Sequence, residues 1–363
     1  MPHKVLFVEG IYPEFQKQLY AAQDGLADQA YAQQLAALLG SGFGHGDAYS
    51  HGFRALGWEA DDIVADADAA QERWAVEHGM TLPENVHDRR RAVVAAQVEH
   101  YRPDVLYVFE WSPLGDAFLA EMKSKVRLLI GQVASPLPEN RTYAAYDVMI
   151  SSFPPLVDYF RGHGKRAEGV RMGFDPRVLE RIPPAPPKYD VTFVGGFASS
   201  HTDRIAWLER ILCDVPVDVF GYGVDKLPEG SAIRKHYRGP AWGWTMYETL
   251  AASRVTLNLH ATIEAEGKVV GSAANNMRLF EATGVGTCLL TDNKPNLPKL
   301  FEPGREVRTF ENAEDCVLRI KEILADEPRR RAVAEAGQKR TLRDHGYPLR
   351  MQRLAEIFAR YMK

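Results

Sequence analysis

The stretch NNMRLFEATGVGTCLLTD, residues 275–292, joins a polar loop, a short helix, a glycine turn and a buried strand. Asn275 and Asn276 have the side chains that cap a helix start, and the free backbone N–H groups at such a start attract phosphate oxygens. Arg278, in the first turn, adds a cation that keeps its charge. Glu281 follows one turn later beside apolar Leu279 and Phe280. With a rise of about 1.5 Å per residue, its carboxylate stands roughly where a ribose would lie if a diphosphate sat at the helix start. Thr283 and Gly284 follow as further candidates for the nucleotide, and Gly284 with Gly286 ends the helix and lets backbone approach a ligand. The run 287–291 then reads as an interior strand of a parallel sheet. An ordinary helix-to-strand connection with a solvated arginine and glutamate is the alternative.

Outward from this stretch, strands and helices alternate along the chain, the pattern of an α/β protein with parallel sheets. Strands are expected at 4–8, 59–64, 105–109, 126–132 and 148–151, with helices at 14–39, 89–100 and 114–123 between them. Ile182-Pro183-Pro184-Ala185-Pro186-Pro187-Lys188 can continue neither a helix nor a central strand, and reads as a stiff linker. A second series follows at 189–194, 217–220, 255–260, 287–291 and 306–309. The expected division is therefore a domain over 1–180, a linker over 181–189 and a second domain over 190–363. The last helix, 349–361, keeps Met351, Leu354, Ile357, Phe358 and Tyr361 on one face and is expected to pack back on the body.

At 363 residues and 45% hydrophobic content the chain can bury two cores, and a net charge of −4 gives no footing for nucleic acid. No run of apolar residues is long enough for a membrane span. Met1-Pro2-His3-Lys4 leads straight into Val5-Leu6-Phe7-Val8 without the regions of a secretory signal, so a cytoplasmic address is expected. Cys213, Cys288 and Cys316 are widely spaced in apolar surroundings and read as buried small hydrophobes.

Ligands of open α/β sheets gather at the carboxyl ends of the strands. In the second half those ends carry Gly195 and Gly196 ahead of His201 and Arg204, then Gly221 and Gly223, then His260. His201 and Arg204 are candidates for a diphosphate, and the glycines leave room for a base or ribose. The other reading is a set of plain turns, a capped helix and a histidine bonded to a carbonyl. In the first half the strand ends carry Glu9 and Glu110, either of which suits a general base acting on a hydroxyl, or a helix cap, or half of an ion pair. The loop 40–47 looks like a dinucleotide fingerprint but follows a helix instead of a strand, which rules that reading out. It is expected to be a mobile loop, with His45 and Asp47 as candidates to meet an acceptor, or a simple flexible connection. Asp66-Ala67-Asp68 has a spacing seen in metal-held diphosphate sites, but it lies in a solvated acidic patch, and no metal site is expected.

These motifs resemble a known family. The segment from Gly173, with Gly173-Phe174-Asp175-Pro176, VTFVGGF at 191–197, LNLH at 257–260, the stretch 275–292, Leu297-Pro298-Lys299-Leu300-Phe301 with Gly304-Arg305-Glu306-Val307, and GQKRTLRDH at 337–345, is similar to the glycosyltransferase group 1 domain of the spore-maturation CgeB-like type. The resemblance implies a GT-B fold, two Rossmann-like domains facing across a cleft. It also implies a nucleoside diphosphate sugar donor on the C-terminal domain, an acceptor on the N-terminal domain and no metal or other cofactor. Glu281 matches the carboxylate that contacts ribose in related retaining enzymes. Those enzymes often carry a further glutamate upstream, where this chain has Ala273, so the contact to the sugar and the stereochemical outcome stay open.

The function expected is transfer of a hexose-type sugar from a nucleotide donor to a hydroxyl on a glycan, a lipid-linked or a small-molecule acceptor. Arg278, Arg204 and the helix start near Asn276 would neutralise the leaving diphosphate, and closure about the proline linker would exclude water. A sugar-nucleotide epimerase of similar architecture and a non-catalytic nucleotide-sugar-binding protein are the rival expectations.

Overall fold

The computed structural model describes residues 2–362 apart from 111–113, 140, 185 and 198–201, and of Thr202 only the backbone. The chain divides into two compact units. One comprises Met1–Arg171, Ala265–Lys268 and Arg350–Lys363, the other Met172–Glu264 and Val269–Leu349. The proline run 183–187 thus lies within the second unit.

The first unit holds a parallel sheet of β1 (Lys4–Glu9), β2 (Glu59–Val64), β3 (Val105–Phe109), β4 (Leu128–Gln132), β5 (Val148–Ser151) and β6 (Ala167–Gly169). The order is β2-β1-β3-β4-β5-β6, so the sheet changes direction of growth at β1. Val-Leu-Tyr-Val-Phe of β3 is buried at every position, as expected of a strand covered on both faces. The expected helix over 14–39 is two helices, Pro13–Ala22 and Tyr31–Leu39. Between them lies Gly25 with φ +73°, a conformation that ends helical propagation. The C-terminal helix Tyr347–Tyr361 brings Phe358 against Phe53, Trp58 and Tyr107 of this unit, with ring centroids 4.9, 5.7 and 6.0 Å apart.

The second unit repeats the plan with β7 (Tyr189–Gly196), β8 (Asp218–Tyr222), β9 (Tyr237–Gly239), β10 (Ser253–Asn258), β13 (Cys288–Asp292) and β14 (Arg308–Phe310), while β11 (Ile263–Ala265) and β12 (Lys268–Gly271) pair with each other. The order of the large sheet is β14-β13-β10-β7-β8-β9, all parallel. Two apolar layers cover it. Along β13, Cys288 and Leu290 enter one layer and Leu289 the other, the period-two alternation of a strand. Cys316 is likewise buried, whereas Cys213 is exposed, because it ends the helix Thr202–Leu212 on its solvent side, its thiol donating to the Glu209 carbonyl. That corrects the expectation for Cys213.

Candidate active site

The second sheet changes direction between β7 and β10, and at such a point the crevice beyond the strand ends is open to a ligand. Arg204, in the helix that follows β7, spans it. Its Nη1 donates to the carbonyl of Gly196 at the end of β7 (3.0 Å), and its Nη2 to that of Leu259 just beyond β10 (2.8 Å). Its Nε is buried without a hydrogen-bond partner, and it takes part in none of the ion pairs among the described residues. Burial lowers its pKa to about 10, with the charges of Tyr222 and Asp292 opposing the fall and that of Arg278 adding to it. Two arginines thus sit close enough to feel one another, and among the described residues only one of them is ion-paired with a carboxylate.

That one is Arg278, whose Nη1 lies 2.8 Å from Glu281 Oε2, while its Nε donates to the Val194 carbonyl at 3.3 Å. Burial raises the Glu281 pKa and the Arg278 charge opposes the rise. The sequence reading assigns Arg278 to phosphate and Glu281 to ribose, and their i,i+3 spacing on one helix face also lets the two side chains pair with each other. The helix is Arg278–Gly284, and its cap, Met277, makes no side-chain hydrogen bond. Asn276 has another partner. Its Nδ2 donates to Asn258 Oδ1 (2.6 Å), Asn258 Nδ2 donates to Thr291 Oγ1 (2.9 Å), and Asn276 Oδ1 is left buried and unpartnered.

His260 is held by a residue that the sequence reading passed over. Asp292, at the end of β13, accepts from the His260 backbone N–H (3.1 Å) and stands 2.6 Å from its Nδ1. Burial pushes the Asp292 carboxyl up, yet His260 and Lys294 outweigh it and hold it below the ordinary carboxylate value. The signal was available, since an aspartate closing an apolar strand is a buried charge in need of partners.

The glycines are explained by packing. A Cβ on Gly196 would stand 2.4 Å from the Tyr222 ring, and one on Gly195 would stand 2.9 Å from that of Phe193. Gly221 has φ +144°, and a Cβ there would meet the Gly195 carbonyl oxygen at 1.8 Å. A Cβ on Gly223 would lie 3.2 Å from the Phe197 oxygen, and one on Gly284 would lie 2.4 Å from the Phe174 ring. Thr283 is buried, its hydroxyl shared between the Leu279 carbonyl and Thr341 Oγ1, both at 2.6 Å. His201 lies outside the described residues.

In the first unit, Glu9 at the end of β1 pairs with His45, Oε1 to Nε2 at 2.6 Å, and the two side chains are 6% and 1% exposed. His45 is therefore not carried on a mobile loop: its ring stands 4.6 Å from that of Tyr49 and 4.5 Å from that of Phe109, and aromatic enclosure fixes it. Asp47 faces Arg54 at 3.8 Å. Glu110 accepts from Arg141 Nη2 at 2.7 Å and from the Tyr146 hydroxyl, and burial raises its pKa against the pull of both. Asp66 accepts from the Ile11 backbone N–H (3.0 Å), and Asp68 takes a two-pronged bond from Arg90 (2.6 and 2.8 Å). Among the described residues no three His, Cys, Asp or Glu side chains converge on a metal position.

Residues 204–356 match a family model described as Glycosyl transferase-like. Among curated proteins none matches the chain in sequence. Among solved structures, a glycosyltransferase from Rickettsia africae ESF-5 has a TM-score of 0.61 at 11% identity, over 100% of this chain and 99% of that one. Anabaena Alr3699/HepE in complex with UDP-glucose gives 0.61 at 13% identity, over 98% and 99%. Sucrose-phosphate synthase from Thermosynechococcus elongatus gives 0.59 at 11%, over 99% and 98%. At such identities the likeness is one of fold, and the fold is GT-B. The matched segment and this fold together support a glycosyltransferase enzyme.

Proposed function

We propose that the chain transfers a sugar from a nucleoside diphosphate sugar, held by the second unit, to a hydroxyl acceptor held by the first, without a metal ion. The carrying observation is Arg204, a buried guanidinium bridging the carbonyls of Gly196 and Leu259 at the turning point of the sheet, in no ion pair among the described residues. A cation so placed is stabilised by an anionic ligand. Arg278 is drawn to the same charge when the diphosphate arrives, which frees Glu281 to accept from the ribose hydroxyls. As the bond from the anomeric carbon to the diphosphate oxygen breaks, negative charge grows on the leaving group, and fixed guanidinium groups stabilise it there more than in the ground state. The acceptor oxygen forms the new bond and loses its proton. The Glu9–His45 pair is our candidate to take it, since a carboxylate hydrogen-bonded to one nitrogen of an imidazole fixes the orientation of the ring. Glu110, already committed to Arg141 and Tyr146, is the less available base.

The CgeB-like affinity and the cytoplasmic address expected from the sequence belong to this proposal. No described helix is long and apolar enough to cross a membrane. Incubation with UDP-, GDP-, dTDP- and CMP-sugars, followed by nucleotide release and glycoside formation, tests it. Arg204→Ala is expected to lower kcat/KM by about 100-fold, the cost of removing one leaving-group donor. Isomerised donor formed without acceptor would mark an epimerase instead. Tight binding with neither release nor transfer would mark a binding protein.

A further inference from the structure

A cavity of about 210 Å³ lies in the first unit, beyond the loop that follows β4 and beside the helix Pro154–Gly162. Its rings are Tyr143, Tyr159, Phe160 and His163, and its charges are Arg141, Lys165, Glu139 and Glu266. The lining is held in place: the Tyr159 hydroxyl donates to Glu266 Oε1 at 3.0 Å, Lys165 Nζ to the Tyr143 carbonyl at 3.2 Å, and the Tyr159 and His163 rings stand 4.2 Å apart. Arg141 joins this cavity to the strand-end edge, since it also bonds Glu110 at the end of β3.

We infer that this cavity holds the acceptor, and that the acceptor presents a neutral saccharide ring. The inference rests on the glycosyltransferase reading above. The volume is below the roughly 300–1,000 Å³ of pockets for larger ligands, and suits one ring. Two cations stand against two carboxylates, so the lining offers no net charge to a phosphate or a uronate, which would call for an excess of guanidinium and ammonium groups. Sugar hydroxyls each donate and accept, and a lining of carboxylates, guanidinium and ammonium satisfies both roles. The C–H face of a pyranose packs on the tyrosine rings, the Tyr159 hydroxyl keeping its own partner in Glu266. A lipid chain would need apolar walls throughout, and here Leu137, Pro138 and Phe160 share the lining with four charged side chains.

The test is saturation-transfer NMR on the full chain with methyl α-glucoside, methyl β-galactoside and methyl α-mannoside as neutral probes, and glucuronate and glucose 6-phosphate as anionic ones. At least one neutral glycoside is expected to receive saturation, and Tyr159→Ala and Lys165→Met are each expected to weaken it by about fivefold. A stronger response from the anionic probes, no response from the neutral ones, or a response untouched by both substitutions would overturn the inference. Melting shifts with UDP, GDP and dTDP, measured on the same protein, separate the two layers. Shifts present with the saccharide response missing reject the acceptor site alone, and shifts missing as well reject the donor reading beneath it.

Discussion

At the scale of single residues, the chemistry depends on buried charges and on what each is paired with. Asp66 makes the pH dependence concrete. Burial raises its pKa from 3.8 to about 6, against the pull of the Ile11 N–H. A carboxyl whose folded value lies above its unfolded one binds its proton more tightly when folded, so its contribution to stability is complete below about pH 4 and disappears as the pH rises through about 6. Ionised Asp66 then costs about 2 to 3 kcal/mol. Melting curves should show the wild type losing stability relative to Asp66→Asn between pH 4 and 7, and a difference independent of pH would refute this. Arg204, Arg278 and Glu281 were legible as site candidates because strand-end and helix-start positions select for ligand contact. The carbonyl partners of the two arginines were not, since Gly196 and Leu259 meet Arg204, and Val194 meets Arg278, only once the sheet has formed. Asn276 read as a cap for the same reason: local sequence shows a polar side chain before a helix and cannot show a second asparagine 18 residues back.

At the scale of elements, the longer strands were legible and two of the three-residue edge strands were not. β2, β3 and β5 fall where continuous or alternating apolar runs place them. β6 and β9 are three residues each, Ala-Glu-Gly and Tyr-Arg-Gly, and carry no apolar signal because each lies at the rim of its sheet. The helix Asp68–Glu77 was lost in an acidic stretch, since its buried Ala70, Gln71, Trp74 and Ala75 form no clear apolar stripe. The C-terminal helix was legible from its stripe, and Phe358 is fully buried among Phe53, Trp58 and Tyr107. Phe358→Ala should cost about 3–5 kcal/mol in urea denaturation, and a loss under about 1 kcal/mol would show that the helix end contributes little to packing. Gly221→Ala forces a side chain into the Gly195 carbonyl at a backbone angle suited to glycine, so it should destabilise more than Gly230→Ala, whose Cβ would meet open space. Equal melting temperatures for the two would contradict that packing.

At the scale of the whole molecule, the sequence shows two successive α/β units because the alternation of strand and helix signals runs through twice. It does not show that Arg350–Lys363 rejoins the first unit, or that Ala265–Lys268 belongs with it. An amphipathic stripe shows that a helix needs a partner, and the partner is set by which apolar face is left uncovered after the rest has folded. With the fold assigned, the account depends on one electrostatic assignment, a diphosphate held by Arg204 and Arg278 at the turning point of the second sheet. Calorimetric titration with UDP, GDP and dTDP against the corresponding nucleosides measures it directly, on the wild type and on Arg204→Gln. The account predicts that at least one diphosphate binds far more tightly than its nucleoside, and that Arg204→Gln weakens that diphosphate by about 10- to 100-fold while leaving the nucleoside unchanged. Equal diphosphate affinity in the two proteins would contradict it.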